Sequence, residues 1–116
     1  YTDTVDEQYV PYILPQAFGN KTDVRWLSVM NEAGAGIKVV ADPLMEASVS
    51  HFSSADLYQA RHTNELTRLD ETILNLDHLQ AGLGGASCGP ATLPQYRIKP
   101  DNYTFRFILS PCTTDC

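Results

Sequence analysis

Tyr103-Thr104-Phe105-Arg106-Phe107-Ile108-Leu109 is the clearest alternation in the chain. Tyr103, Phe105, Phe107 and Leu109 fall on one side of an extended backbone and Thr104, Arg106 and Ile108 on the other, the period of two that a β-strand imposes. Tyr96 to Ile98 precedes it as a short extended run, and Lys99-Pro100-Asp101-Asn102 has the composition of the turn between them. Further upstream, Val24 to Met30 also alternates, with Val24, Trp26 and Met30 opposite Arg25, Leu27 and Val29. Asn31-Glu32-Ala33-Gly34-Ala35-Gly36 breaks that run and Ile37 to Ala41 resumes it, which predicts a hairpin. Val49 to Phe52 and Glu71 to Leu76 are further strand candidates. One short helix is expected, with Ser53 or Ser54 as its N-cap, Asp56 in its first turn and its end near His62. Residues 77–94 read as loop, punctuated by Gly82, Gly84, Gly85, Gly89 and Pro90. The implied fold class is all-β, an antiparallel β-sandwich with one short helix.

Composition bounds what such a chain can do. Its 116 residues suit one domain and are too few for two, and a 43% hydrophobic content can furnish a core. A net charge of −6 with scattered Lys and Arg lacks the positive footprint that nucleic acid requires. No stretch approaches the roughly 20 apolar residues of a membrane-spanning helix. Tyr1 to Glu7 is acidic and polar, neither a signal peptide nor a methionine start, so the sequence reads as a fragment in which residues 1–9 form an acidic linker or a cut edge. The three cysteines, Cys88, Cys112 and Cys116, leave at least one unpaired; Cys112 and Cys116 are close enough to bridge, and the set does not define a compartment. Two N-glycosylation patterns, at Asn20 and Asn102, are short enough to arise by chance.

Three local motifs go further than periodicity does. Pro15-Gln16-Ala17-Phe18-Gly19-Asn20-Lys21-Thr22-Asp23-Val24-Arg25-Trp26 resembles a signature near the end of family 2 β-galactosidases. Phe52-Ser53-Ser54-Ala55-Asp56-Leu57, followed by Ala60 and His62, is similar to the next segment of that family. Leu76-Asp77 and then Gln80-Ala81-Gly82-Leu83-Gly84-Gly85-Ala86-Ser87-Cys88-Gly89-Pro90 look like its glycine-rich loop. The order and spacing of the three match across residues 10–111, which leaves residues 112–116 as a tail.

The resemblance implies the C-terminal part of the small-chain region, a galactose-mutarotase-like supersandwich whose earlier strands precede Tyr1. A half-sandwich leaves apolar faces and strand edges bare, so repacking or pairing with a copy of itself is expected. In the family the two catalytic glutamates lie in a separate barrel, so no catalytic residue is expected here, and Glu65, Asp70, Glu71 and Asp77 read as a solvated acidic surface. The glycine-rich loop reaches the barrel mouth, where Gly85, Ser87 and Cys88 would wall the substrate site, with Cys88 at a position that is tryptophan in some members. Glycines flanking Cys88 would let the backbone approach a ligand closely. Asn20, Asp23, Arg25, Trp26 and His62 are expected to be structural: Trp26 in the core, Asp23 paired with Arg25 or a backbone amide, and His62 packed and hydrogen-bonded. His51 and His62 lack metal-ligand spacing, and no metal or cofactor is expected in this segment, although magnesium and sodium ions are implied for the whole enzyme. The implied partners are the rest of the β-galactosidase chain, a β-galactoside at the loop and a copy of the chain in a homo-oligomer, with neither nucleic acid nor membrane. A carbohydrate-binding or an oligomerisation module is the rival reading.

Overall fold

The computed structural model of the chain describes residues 1–82 and 85–114; Leu83 and Gly84 of the glycine-rich motif, and the tail residues Asp115 and Cys116, lie outside the described residues. The elements are β1 (Lys21–Met30), β2 (Ala35–Ser50), α1 (Ser54–Gln59), β3 (Ile73–Asp77) and β4 (Arg106–Thr113), with three single 3-10 turns at Asp6–Gln8, Thr63–Glu65 and Pro94–Tyr96. The fold class is thus all-β, mostly antiparallel and sandwich-like, with one six-residue helix. The sheet order is β1–β2–β3, and β4 also pairs with β2. No described helix is long and apolar enough to cross a membrane.

Two compact units divide the chain. The first comprises Tyr1–Thr22 and Ala47–Leu76, the second Asp23–Glu46 and Asp77–Cys116, so the polypeptide passes from one to the other along β1, β2 and β3.

In the first unit, the helix begins where its capping residue dictates. The Ser53 hydroxyl accepts a hydrogen bond from the Asp56 amide at 3.1 Å, satisfying a donor that the first turn leaves without a partner. The helix stops at Gln59, three residues short of the expected end, because Ala60 turns extended. Its apolar side supplies Leu57, which is buried together with Ala60 and Ala47. Tyr9 packs edge-on against Phe18 at 4.9 Å and tilts against Phe52 at 5.5 Å. Arg68 grips Asp6 with two parallel hydrogen bonds, Nε to Oδ1 at 3.0 Å and Nη2 to Oδ2 at 2.9 Å. Asn75 of β3 donates to Ser48 of β2 at 3.1 Å.

In the second unit, the predicted hairpin forms with its turn at Asn31–Gly34. The Asn31 side chain accepts from the Ala35 amide at 3.0 Å and Gly34 takes the left-handed φ of 77° that the turn needs. Gly36 is required for a different reason, since a Cβ there would sit 2.0 Å from the Val29 carbonyl oxygen. β2 and β4 run antiparallel in the register Ile37↔Pro111, Val39↔Leu109, Ala41↔Phe107 on one face and Lys38↔Ser110, Val40↔Ile108, Asp42↔Arg106 on the other. The core of this unit is small, comprising Val39, Met45 and Cys112. Cys112 is disulfide-bonded, whereas Cys88 is a free thiol.

Large apolar side chains remain exposed on both faces of the β2–β4 ladder: Phe107 and Leu109 on one, Val40 and Ile108 on the other. Trp26 is 60% exposed, on the same face as Lys38, whose ammonium lies 5.1 Å from the ring centroid. The expectation of a core tryptophan is therefore corrected: the strand alternates, but among the described residues the ring stays largely exposed with only Lys38 seen over it. A sheet that is apolar on both sides is the pattern of one that other layers cover.

Candidate functional site: the glycine-rich loop

The loop follows β3 in the second unit and returns towards the 3-10 turn at Pro94–Tyr96. Its sequence cannot form a regular element, because closely spaced glycines and Pro90 resist both helix and ladder. Instead the backbone folds on itself: the Ala86 amide donates to the Pro90 carbonyl at 3.3 Å, and Ala86 adopts a φ of 64°. Gly85 lies so close to Thr92 that a Cβ would meet the Thr92 Oγ1 at 2.5 Å. Thr92 is in turn held from below, its carbonyl accepting from Arg97 Nε at 2.7 Å. Between these anchors, Ser87, Cys88 and Gly89 stand exposed to solvent. Residues 85–91 are all exposed, and Thr92 is half-buried.

Other expected site residues fall elsewhere. Asp23, at the start of the second unit, takes a left-handed φ of 55°, which a short Asp side chain tolerates. No ion pair or side-chain hydrogen bond joins it to Arg25 among the described residues. Asn20, in the first unit, is exposed. His62 is hydrogen-bonded as expected, its Nδ1 2.9 Å from Glu65 Oε1, but its side chain is exposed rather than packed. Glu65 also accepts from the Arg61 amide at 2.8 Å, and that contact first, then His62, holds its carboxyl below the usual range. A carboxylate kept ionised in this way is suited to capping a turn and not to donating a proton. Thr92 and Arg97, which shape the loop, carry no motif that spacing could have flagged.

A shallow depression of about 430 Å³ opens elsewhere in the second unit, between Asp42, Phe105, Arg106, Phe107 and Ile108, with the Arg106–Asp42 ion pair at 2.9 Å along it. None of the described residues of the glycine-rich loop lines it. Among the described residues, no group of three or more His, Cys, Asp or Glu side chains converges to hold a metal ion.

Fold and loop together define an all-β domain with a clamped, glycine-rich loop and a bare, two-faced sheet. Comparison with known proteins supplies the lineage. The family described as "Beta galactosidase small chain" matches residues 1–109, and the chain belongs to that family. It is 35% identical over 112 residues to a β-galactosidase of Photobacterium profundum, covering 96% of this chain and 10% of that protein. It is 34% identical over 110 residues to one of Priestia megaterium, covering 93% and 11%. Identity to the Kluyveromyces lactis β-galactosidase is 32% over 111 residues, covering 93% and 10%. The chain thus spans about a tenth of the length of the curated relatives it matches, and is a small β-galactosidase domain.

Proposed function

We propose that this domain serves a family 2 β-galactosidase, a retaining glycosidase of terminal β-D-galactosides, by walling the substrate site with its glycine-rich loop. The boundaries of the domain, residues 10–111 with an acidic lead-in and a short tail, are part of this reading. The observation that carries it is the loop itself: Cys88 is a free, exposed thiol in a loop tied by the Ala86–Pro90 and Arg97–Thr92 hydrogen bonds. Retention requires two carboxylates about 5 Å apart, and these come from the rest of the polypeptide. Cys88, Ser87 and Gly85 contribute shape. A cysteine is small and weakly polar, so the leaving-group side of the site is roomier than one where an indole stacks on the sugar. Magnesium and sodium have no assigned role in these residues, and no step runs through them. The bare sheet faces are where the rest of the chain, or a second subunit, packs.

The test is kinetic and uses the full-length enzyme. Cys88→Ala and Cys88→Trp are compared on galactosides with small and with bulky leaving groups. A changed ratio of kcat/KM between the two substrates supports the reading, and an unchanged ratio in both variants overturns it.

One observation favours the rival, carbohydrate-binding reading. Trp26 lies exposed on the sheet with Lys38 beside it, and an exposed indole is a surface on which a pyranose can stack. Quenching of Trp26 fluorescence by galactosides, lost in Trp26→Ala, would support that module; no response up to millimolar sugar removes it.

A further inference from the structure

We infer that Thr92 and Arg97 are positioning residues, a clamp that sets the pose of the glycine-rich loop and hence the place of the Cys88 thiol. The inference deepens the active-site-wall reading and rests on it for its functional consequence. Two hydrogen bonds and one close approach connect in series. Arg97 Nε donates to the Thr92 carbonyl at 2.7 Å, which fixes the backbone of Thr92. The Thr92 side chain then occupies the space that a side chain at Gly85 would need, its Oγ1 2.5 Å from the position of a Cβ there. Beyond Gly85, the Ala86 amide closes the loop onto the Pro90 carbonyl at 3.3 Å, leaving Ser87, Cys88 and Gly89 exposed at the tip.

The arrangement has directional logic. Arg97 follows directly on the Pro94–Tyr96 turn, whose closing bond runs from the Arg97 amide to the Pro94 carbonyl at 3.4 Å. Proline at the first position pre-sets that turn, so the guanidinium is presented from a stiff base and not from a free strand. Arg97 binds through one Nε and a backbone oxygen, a contact that lysine, with its longer reach and round charge, does not reproduce. Glycine at 85 therefore answers to the close approach of Thr92. Arg97 and Gly85 thereby act on Cys88 without touching the substrate.

The experiment uses the full-length protein containing this domain, with two readouts. The first is the alkylation rate of Cys88 by iodoacetamide, followed by mass of the Cys88 peptide; the second is the kcat/KM ratio between a small and a bulky leaving group. Loss of one solvent-exposed hydrogen bond corresponds to a change of about threefold to tenfold in loop population. Arg97→Ala and Arg97→Lys are expected to speed alkylation by about that factor. Gly85→Ala is expected to do the same, and the double variant Gly85→Ala/Thr92→Ala to restore the native rate, because the second change removes the atom that the first one meets. An alkylation rate unchanged in Arg97→Ala, or a Gly85→Ala effect that Thr92→Ala fails to relieve, overturns the clamp. Alkylation that responds while the leaving-group ratio stays fixed keeps the clamp and overturns the active-site-wall reading.

Discussion

Val39 and Leu109 face each other across the β2–β4 ladder, yet Val39 is 0% exposed and Leu109 is 57% exposed. The asymmetry follows from position. β2 lies between other strands, whereas β4 pairs only with β2 among the described residues, so a side chain on β4 has neighbours on one side alone. Two residues of one apolar face thus differ in what their burial contributes within this domain.

Truncating them should separate the two contributions. In the isolated chain, Val39→Ala should cost about 2 kcal/mol in denaturant unfolding, and Leu109→Ala less than about 1 kcal/mol. In the full-length enzyme, where the proposal has further layers covering β4, Leu109→Ala should rise to about 2 kcal/mol or more. An equally small cost in both settings would mean that nothing covers this face.

Gly36→Ala tests the hairpin. The added Cβ meets backbone, the Val29 carbonyl oxygen at 2.0 Å and the Met30 Cα at 2.8 Å, and neither can rotate away. β1 and β2 must spread apart, at a cost of about 1–3 kcal/mol. By contrast, Gly82→Ala meets nothing within 4 Å and should leave stability within about 0.5 kcal/mol of native. Paired thermal melts of the two variants check the contrast.

Ser53→Ala should cost about 1 kcal/mol, and Ser53→Gly only a few tenths. The cap matters because α1 has six residues, too few to be stable by propagation alone, and it carries the buried Leu57. Faster hydrogen exchange at the Asp56 and Leu57 amides in Ser53→Ala would register the loss. Equal exchange in the native and Ala forms would show that packing alone holds the turn.

The sequence was legible where local chemistry decides structure. The Asn31–Gly36 break, the Ser53 cap and the alternation from Val24 were readable because turn, cap and pleat each have a short-range signature. Legibility failed where long-range partners decide. β2 runs on to Ser50 through Pro43, a residue type that ordinarily interrupts a strand. Pro43 lies one residue beyond the last β2–β4 pair, Asp42↔Arg106, so it owes that ladder no donor. β4 begins at Arg106, three residues later than the alternation: Tyr103 and Phe105 stack instead on His78, each at 5.6 Å. Tyr96, read as strand, ends a 3-10 turn that Pro94 starts. At the site, the glycines marked the loop, but the Thr92–Arg97 contacts that hold it depend on a fold no spacing reveals.

The Asp6–Arg68 pair makes the first unit sensitive to acid in a defined window. Arg68, by hydrogen bonding first and by charge second, lowers the Asp6 carboxyl from its ordinary 3.8. A carboxyl that is more acidic in the folded state stabilises folding at pH values above the ordinary one, and loses that contribution as pH falls through the lower folded value. Both side chains are substantially exposed, so the effect is modest and salt screens it. The lead-in carrying Asp6 should therefore loosen from Arg68 only as pH drops below about 4, and high salt should weaken the pair at every pH. Asp6→Asn removes the charge and should flatten this acid response while leaving the Tyr9–Phe18 contact in place. Carbon-detected NMR titration of the Asp6 carboxyl reads the shift directly, and amide exchange around Tyr9 reads the loosening. An Asp6 carboxyl that titrates at or above 3.8 would mean that Arg68 does not hold it in solution.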